Sequence, residues 1–93
     1  MSVVASASHI LVGTEEECLK IKKQIEAGAN FSAMARKCSL CPSGKEGGDL
    51  GEFSPGMMVP EFDEVVFTAE VGKVHGPVKT EFGYHLIYIN KRG

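Results

Sequence analysis

The chain has 93 residues, 43% of them hydrophobic and 24% charged, with a formal net charge of −2 at pH 7. That length bounds it to one small domain, residues 1–93, with a limited but sufficient core, and the balance of charge argues against a nucleic-acid binder, which carries a clear basic surplus. No stretch approaches the run of about 18 apolar residues that spans a membrane, and three cysteines, an odd count without framework spacing, suit a reducing compartment, with the cytoplasm as the expected location.

Residues 1–7 lack a positive region followed by a full apolar core, so no secretory leader is expected. The first predicted strand is His9-Ile10-Leu11-Val12, ended by Gly13. Thr14 followed by Glu17 is a capping-box pattern that starts a helix. Cys18, Ile21 and Ile25 make its apolar face, and Gly28 sits where a C-terminal cap belongs. The lysines Lys20, Lys22 and Lys23, with glutamates around them, read as a solvated helix face.

Asn30 can cap a second helix, whose Phe31, Met34, Ala35 and Cys38 form a single stripe. Pro42 ends it, a glycine-rich loop follows, and Leu50-Gly51-Glu52-Phe53 reads as a very short strand. Pro60 is placed for the first turn of a third helix, with Phe62, Val65 and Val66 inward. Residues 74–78 are predicted as an edge strand because of Gly76-Pro77, Thr80-Glu81-Phe82-Gly83 as a turn, and residues 84–90 as a strand. In that last strand His85, Ile87 and Ile89 share one face, opposite Tyr84, Leu86 and Tyr88. The order βααβαββ implies an α+β fold, a small sheet covered by helices.

Four constellations could carry chemistry. Cys38-Ser39-Leu40-Cys41 is a C-x-x-C, yet it follows a helix, where the dipole opposes a thiolate, and no second ligand pair completes a zinc site. Cys38 is therefore read as a core thiol, while Cys41 begins the loop. The run Gly44-Lys45-Glu46-Gly47-Gly48-Asp49-Leu50-Gly51 lacks the Gly-Lys-Ser/Thr of a phosphate cradle and is read as backbone shape. His9 and His85 lie in strands at opposite ends of the chain. If those strands are neighbours, the two imidazoles can share a proton and bond a hydroxyl such as Thr80, whereas a metal would lack a third ligand. His75 is expected to be exposed. Lastly, Met58 and Phe82 sit in turns, where large apolar side chains are not needed for packing. With Leu50, Met57 and Phe62 they suggest a shallow apolar pocket.

Taken in order, His9-Ile10-Leu11-Val12, Cys41-Pro42-Ser43-Gly44, Gly47-Gly48-Asp49-Leu50-Gly51, Met58-Val59-Pro60-Glu61-Phe62, Gly76-Pro77-Val78 and Thr80-Glu81-Phe82-Gly83-Tyr84-His85 resemble the parvulin-type peptidyl-prolyl cis/trans isomerases. The likeness runs from His9 to the C-terminus and is nearest to the short bacterial-type parvulins. It implies a four-stranded antiparallel sheet surrounded by helices, with the first and last strands central and adjacent. It further implies His9 and His85 as paired histidines beneath the active site, with Thr80 in their network. Cys41 falls at a position held by cysteine or aspartate in the family. Leu50, Met58 and Phe62 would form the proline pocket, with Phe82 on its rim. Phosphate-directed parvulins carry a basic cluster after the first strand, but here Gly13-Thr14-Glu15-Glu16-Glu17 is acidic, so no phosphate requirement is expected. The expected partners are proline-containing peptides and unfolded or folding proteins, met as a monomer without cofactor, metal, nucleic acid or membrane.

Overall fold

The structure, a computed structural model, describes residues 4–40 and 42–92. Strand β1 (Ala5–Val12) leads into α1 (Glu15–Glu26) and α2 (Phe31–Cys38); a short 3-10 turn (Pro42–Glu46) precedes β2 (Asp49–Phe53), and α3 (Pro60–Thr68), β3 (Val74–Thr80) and β4 (Gly83–Arg92) complete the chain. The order is βααβαββ, as expected from the sequence.

Local chemistry starts each helix. The Thr14 hydroxyl accepts from the Glu17 amide at 3.2 Å, and Asn30 Oδ1 accepts from the Ala33 amide at 3.0 Å, so both side chains satisfy amides that lack an intrahelical partner. Pro60 enters α3 at its first turn, where no N–H is required. At its far end, the Arg92 guanidinium donates to the carbonyls of Val66 and Ala69 at 2.9 and 2.7 Å. These bonds satisfy carbonyls at the end of α3 and tie it to the last strand.

The four strands form one sheet in the order β2-β1-β4-β3, with every neighbouring pair antiparallel. The two ends of the chain thus meet at its centre. Both faces are covered. Ile10, Val12 and Leu86 pack with Cys18 and Ile21 of α1 and Ala35 of α2, while Ala5, Ala7, Ile87 and Ile89 pack with Phe53 of β2 and Phe62 and Val66 of α3. This sandwich explains why Leu86, Ile87 and Ile89 are all fully buried in one strand.

Several expectations need correction. β1 begins at Ala5, not His9; Ala5 and Ala7 are sealed beneath the α3 layer although their small side chains carry little strand propensity. Val65 is only half-buried. β3 runs on through Thr80, which leaves Glu81 and Phe82 as the turn. His75 is half-buried, and its Nε2 donates to the Glu70 carbonyl at 2.7 Å. Among the described residues no helix is long and apolar enough to cross a membrane.

Candidate active site

Two adjacent strands carry the floor of the site. On β1 and β4, His9 lies opposite Ile87 and Leu11 opposite His85, so the two histidines are diagonal neighbours on one face. His9 Nδ1 and His85 Nδ1 are 3.1 Å apart. The rings lie 15° from parallel with centroids 5.3 Å apart, and with the nitrogens in hydrogen-bond contact they meet through their edges. His85 Nε2 is 2.8 Å from Thr80 Oγ1, which in turn accepts from the Phe82 amide at 3.2 Å.

The histidine tautomers set the direction of this chain of groups. Either His85 Nδ1–H donates to His9 Nδ1 and the Thr80 hydroxyl to His85 Nε2, or His9 Nδ1–H donates to His85 Nδ1 and His85 Nε2–H to Thr80 Oγ1, and in both the Phe82 amide donates to Thr80 Oγ1. His9, Thr80 and His85 are each 5–6% exposed, and among the described residues no buried side-chain nitrogen or oxygen lacks a partner. Burial, and next the neighbouring His85 ring, hold the His9 imidazole down at about 4. Burial lowers His85 as well. Both rings are therefore neutral near pH 7.

The register of β3 brings Thr80 to this network. Val74 lies opposite Tyr88, but beyond an irregularity Val78 lies opposite His85. Residues 74 and 88 belong to the face of α1, and residues 78 and 85 to the face of α3. The irregularity, which contains the cis Gly76-Pro77 bond, thus turns the end of β3 over, so that Thr80 meets His85 instead of facing α1. Gly48 has a comparable role beside His9. Its carbonyl accepts from the His9 amide at 2.9 Å, its φ is +81°, and a Cβ there would lie 2.3 Å from the His9 carbonyl oxygen.

Above the histidines lies a cavity of about 430 Å³ whose walls are almost wholly apolar. Leu50 of β2, Met58 and Val59 of the turn before α3, and Phe62 of α3 line it. Leu11, Leu40 and Phe82 line it as well. The Phe62 ring stands edge-on to both imidazoles, with centroids 5.7 and 6.0 Å away. The turn that carries Met58 is tied to α3, since the Gly56 amide donates to the Asp63 carboxylate at 3.2 Å. Next to Val59 a smaller hollow is flanked by Glu61 and Glu81.

The structure thus gathers His9, His85, Leu50, Met58, Phe62 and Phe82 round one cavity, with Thr80 directly behind it. Cys41 lies outside the described residues. Met57 does not line the cavity and is exposed. Sequence reasoning missed Leu11, Leu40 and Val59. For Leu40 a signal existed: a large apolar residue after the end of a helix stripe, in a segment with no packing need for it. Among the described residues no three His, Cys, Asp or Glu side chains come together as a metal-binding group.

Comparison with known proteins decides the family. The rotamase profile described as a PPIC-type PPIase domain matches residues 9–91. The chain belongs to the parvulin-type peptidyl-prolyl isomerase family. Its similarity to other parvulin domains extends over nearly its full length. It is 45% identical over 86 residues to foldase protein PrsA 4 of Bacillus cereus, which covers 91% of this chain and 31% of that protein. The crystal structure of PrsA from Bacillus anthracis superposes with a TM-score of 0.95 at 38% identity, covering 99% of this chain and 43% of that one. NmPin, the parvulin of Nitrosopumilus maritimus, superposes with a TM-score of 0.85 at 40% identity, covering 96% of this chain and 97% of that one. The chain therefore spans about a third of the length of the curated PrsA relatives it matches and nearly all of NmPin. The sheet with its first and last strands central, implied by the family resemblance, is the one observed.

Proposed function

We propose that the chain accelerates cis/trans rotation about X-Pro bonds in peptides and in unfolded or folding proteins, without requiring phosphate. The observation that carries this reading is the apolar cavity of about 430 Å³ over a neutral, mutually bonded histidine pair. An X-Pro bond rotates unaided over tens to hundreds of seconds, across a barrier of about 20 kcal/mol. No bond has to break. Only interactions stronger with the twisted amide than with either planar form speed the step, and a gain of roughly 10⁵-fold corresponds to about 7 kcal/mol. Leu50, Met58 and Phe62 give the proline ring apolar walls, which fix it while the preceding carbonyl turns. The histidines, held neutral by burial, preserve the shape of the floor and move no proton.

In this reading Cys41 is a polar neighbour of the turning carbonyl. A Cys41→Asp variant that keeps most of its kcat/KM supports that role over a covalent one; a loss beyond about 100-fold, a size typical of lost chemical catalysis, overturns it. Glu61 and Glu81 beside the cavity, and the acidic start of α1, would repel a phosphorylated residue. PrsA relatives are named as foldases, which supports unfolded proteins as clients. The free thiols of Cys18 and Cys38 fit a cytoplasmic monomer, a placement that cell fractionation and light scattering would test.

Exchange NMR on a short unphosphorylated peptide tests the activity. The wild type should speed exchange, and Met58→Ala and Phe62→Ala should abolish or sharply reduce the effect. Phe62 is buried, and its truncation costs about 3–5 kcal/mol, so urea titration must show each variant folded; half-buried Met58 is the safer of the two. A folded wild type that accelerates no peptide, phosphoserine-proline included, would overturn the reading in favour of a binding module.

A further inference from the structure

We propose that Lys22 is a positioning residue for the isomerase site, one that fixes, from the α1 face of the sheet, the stretch of β3 that delivers Thr80 to His85; the proposal rests on the isomerase reading only for its activity measurement. Sequence patterning groups Lys20, Lys22 and Lys23 as one solvated helix face, but the structure separates them. Lys20 and Lys23 are exposed, whereas Lys22 is half-buried. Its Nζ donates to the Gly76 carbonyl of β3 at 2.8 Å. The two residues lie 54 positions apart, so the bond joins the α1 layer to an edge strand of the sheet.

The register shows why that carbonyl matters. His75 lies opposite Ile87 and Val78 opposite His85, so Gly76 and Pro77 together face Leu86 and stand outside the paired positions. Backbone polar groups that leave a ladder take another partner. Pro77 has no N–H to give, and the Gly76 carbonyl takes Lys22. The same segment touches His85 twice. Gly76, at a φ of +138°, packs so closely on β4 that a Cβ there would lie 2.6 Å from the His85 carbonyl oxygen. Beyond Pro77, Val78 faces His85, and Thr80 Oγ1 lies 2.8 Å from His85 Nε2. The His75 ring bonds the Glu70 carbonyl and so fastens the strand before the irregularity, while Lys22 grips the irregularity itself. Without the lysine, β3 is free to relax away from β4 and carry the Thr80 hydroxyl out of line with His85, whose ring then loses the partner that sets its tautomer.

Lys22→Met tests this, because it removes the donor and keeps the apolar stem and the helix propensity; urea titration checks that each variant is folded. The imidazole nitrogen resonances of His85 should shift in Lys22→Met and stay unchanged in Lys23→Met, which alters the exposed neighbour. A merely structural role would lower stability without moving them in the folded protein. With an unphosphorylated X-Pro peptide, exchange NMR should show kcat lowered roughly tenfold, within the range expected for a small misplacement at a site. KM should change little, since Leu50, Met58 and Phe62 lie on other elements. In a Thr80→Val background Lys22→Met should lower kcat no further, because both changes act through one contact. Unchanged His85 resonances in folded Lys22→Met, or the same loss of kcat with and without Thr80→Val, overturn the role of Lys22 and leave the isomerase reading standing. A wild type that accelerates no peptide overturns the isomerase reading, and the His85 resonances then decide the role of Lys22 alone.

Discussion

Lowering the pH from 7.5 to 5 should destabilise this domain by a route that runs through the histidine pair. His9 is held at about 4 when folded and returns to about 6.5 when the chain unfolds. Between those values the unfolded chain binds the proton and the folded one does not, so stability falls as pH falls through that window and is level above about 6.5. At about 1.4 kcal/mol per pH unit, the loss from pH 7.5 to 5 attributable to His9 is about 2 kcal/mol. For a domain of this size that corresponds to a fall in Tm of roughly 8–16 °C. His85, also lowered by burial, acts in the same direction, and because the rings touch the first proton belongs to the pair. Carboxylates titrate in the lower part of the same range, so the comparison is with His9→Asn. Urea unfolding of both proteins at half-unit steps should show the wild type losing about 2 kcal/mol more than the variant over the interval. Parallel curves for the two proteins would refute the burial argument for His9.

Two substitutions probe what positions that pair. Thr80→Val removes the hydroxyl that joins His85 Nε2 to the Phe82 amide and should cost about 1–3 kcal/mol in urea unfolding, with Thr80→Ser restoring most of it; equal stability of the Val and Ser variants would count against the network. Gly48→Ala should cost about 3 kcal/mol or more, because its Cβ would meet the His9 carbonyl oxygen at 2.3 Å. Gly51→Ala, also at positive φ but in open space, should cost only about 1–2 kcal/mol, and similar losses for the two would show that φ alone decides.

The order of elements and the starts of the helices were legible in the sequence because they are set within a few residues. Thr14 and Asn30 cap their own helices, and Pro60 begins one, whatever lies across the sheet. The residue types of the site were legible too. Histidines in apolar strands and large apolar side chains in turns conflict with local packing, and such conflicts mark sites. Tertiary structure decided which of them meet. His9 and His85 are 76 positions apart and touch only because β1 and β4 pair at the sheet centre in one register. Thr80 faces them because β3 turns over between His75 and Val78, and no residue pattern specifies which face a strand shows after an irregularity. Ala5 and Ala7 became strand through burial rather than propensity. Leu40 became a cavity wall because its backbone pairs with Leu11, and such pairing between distant segments is a property of the packed sheet, not of either segment.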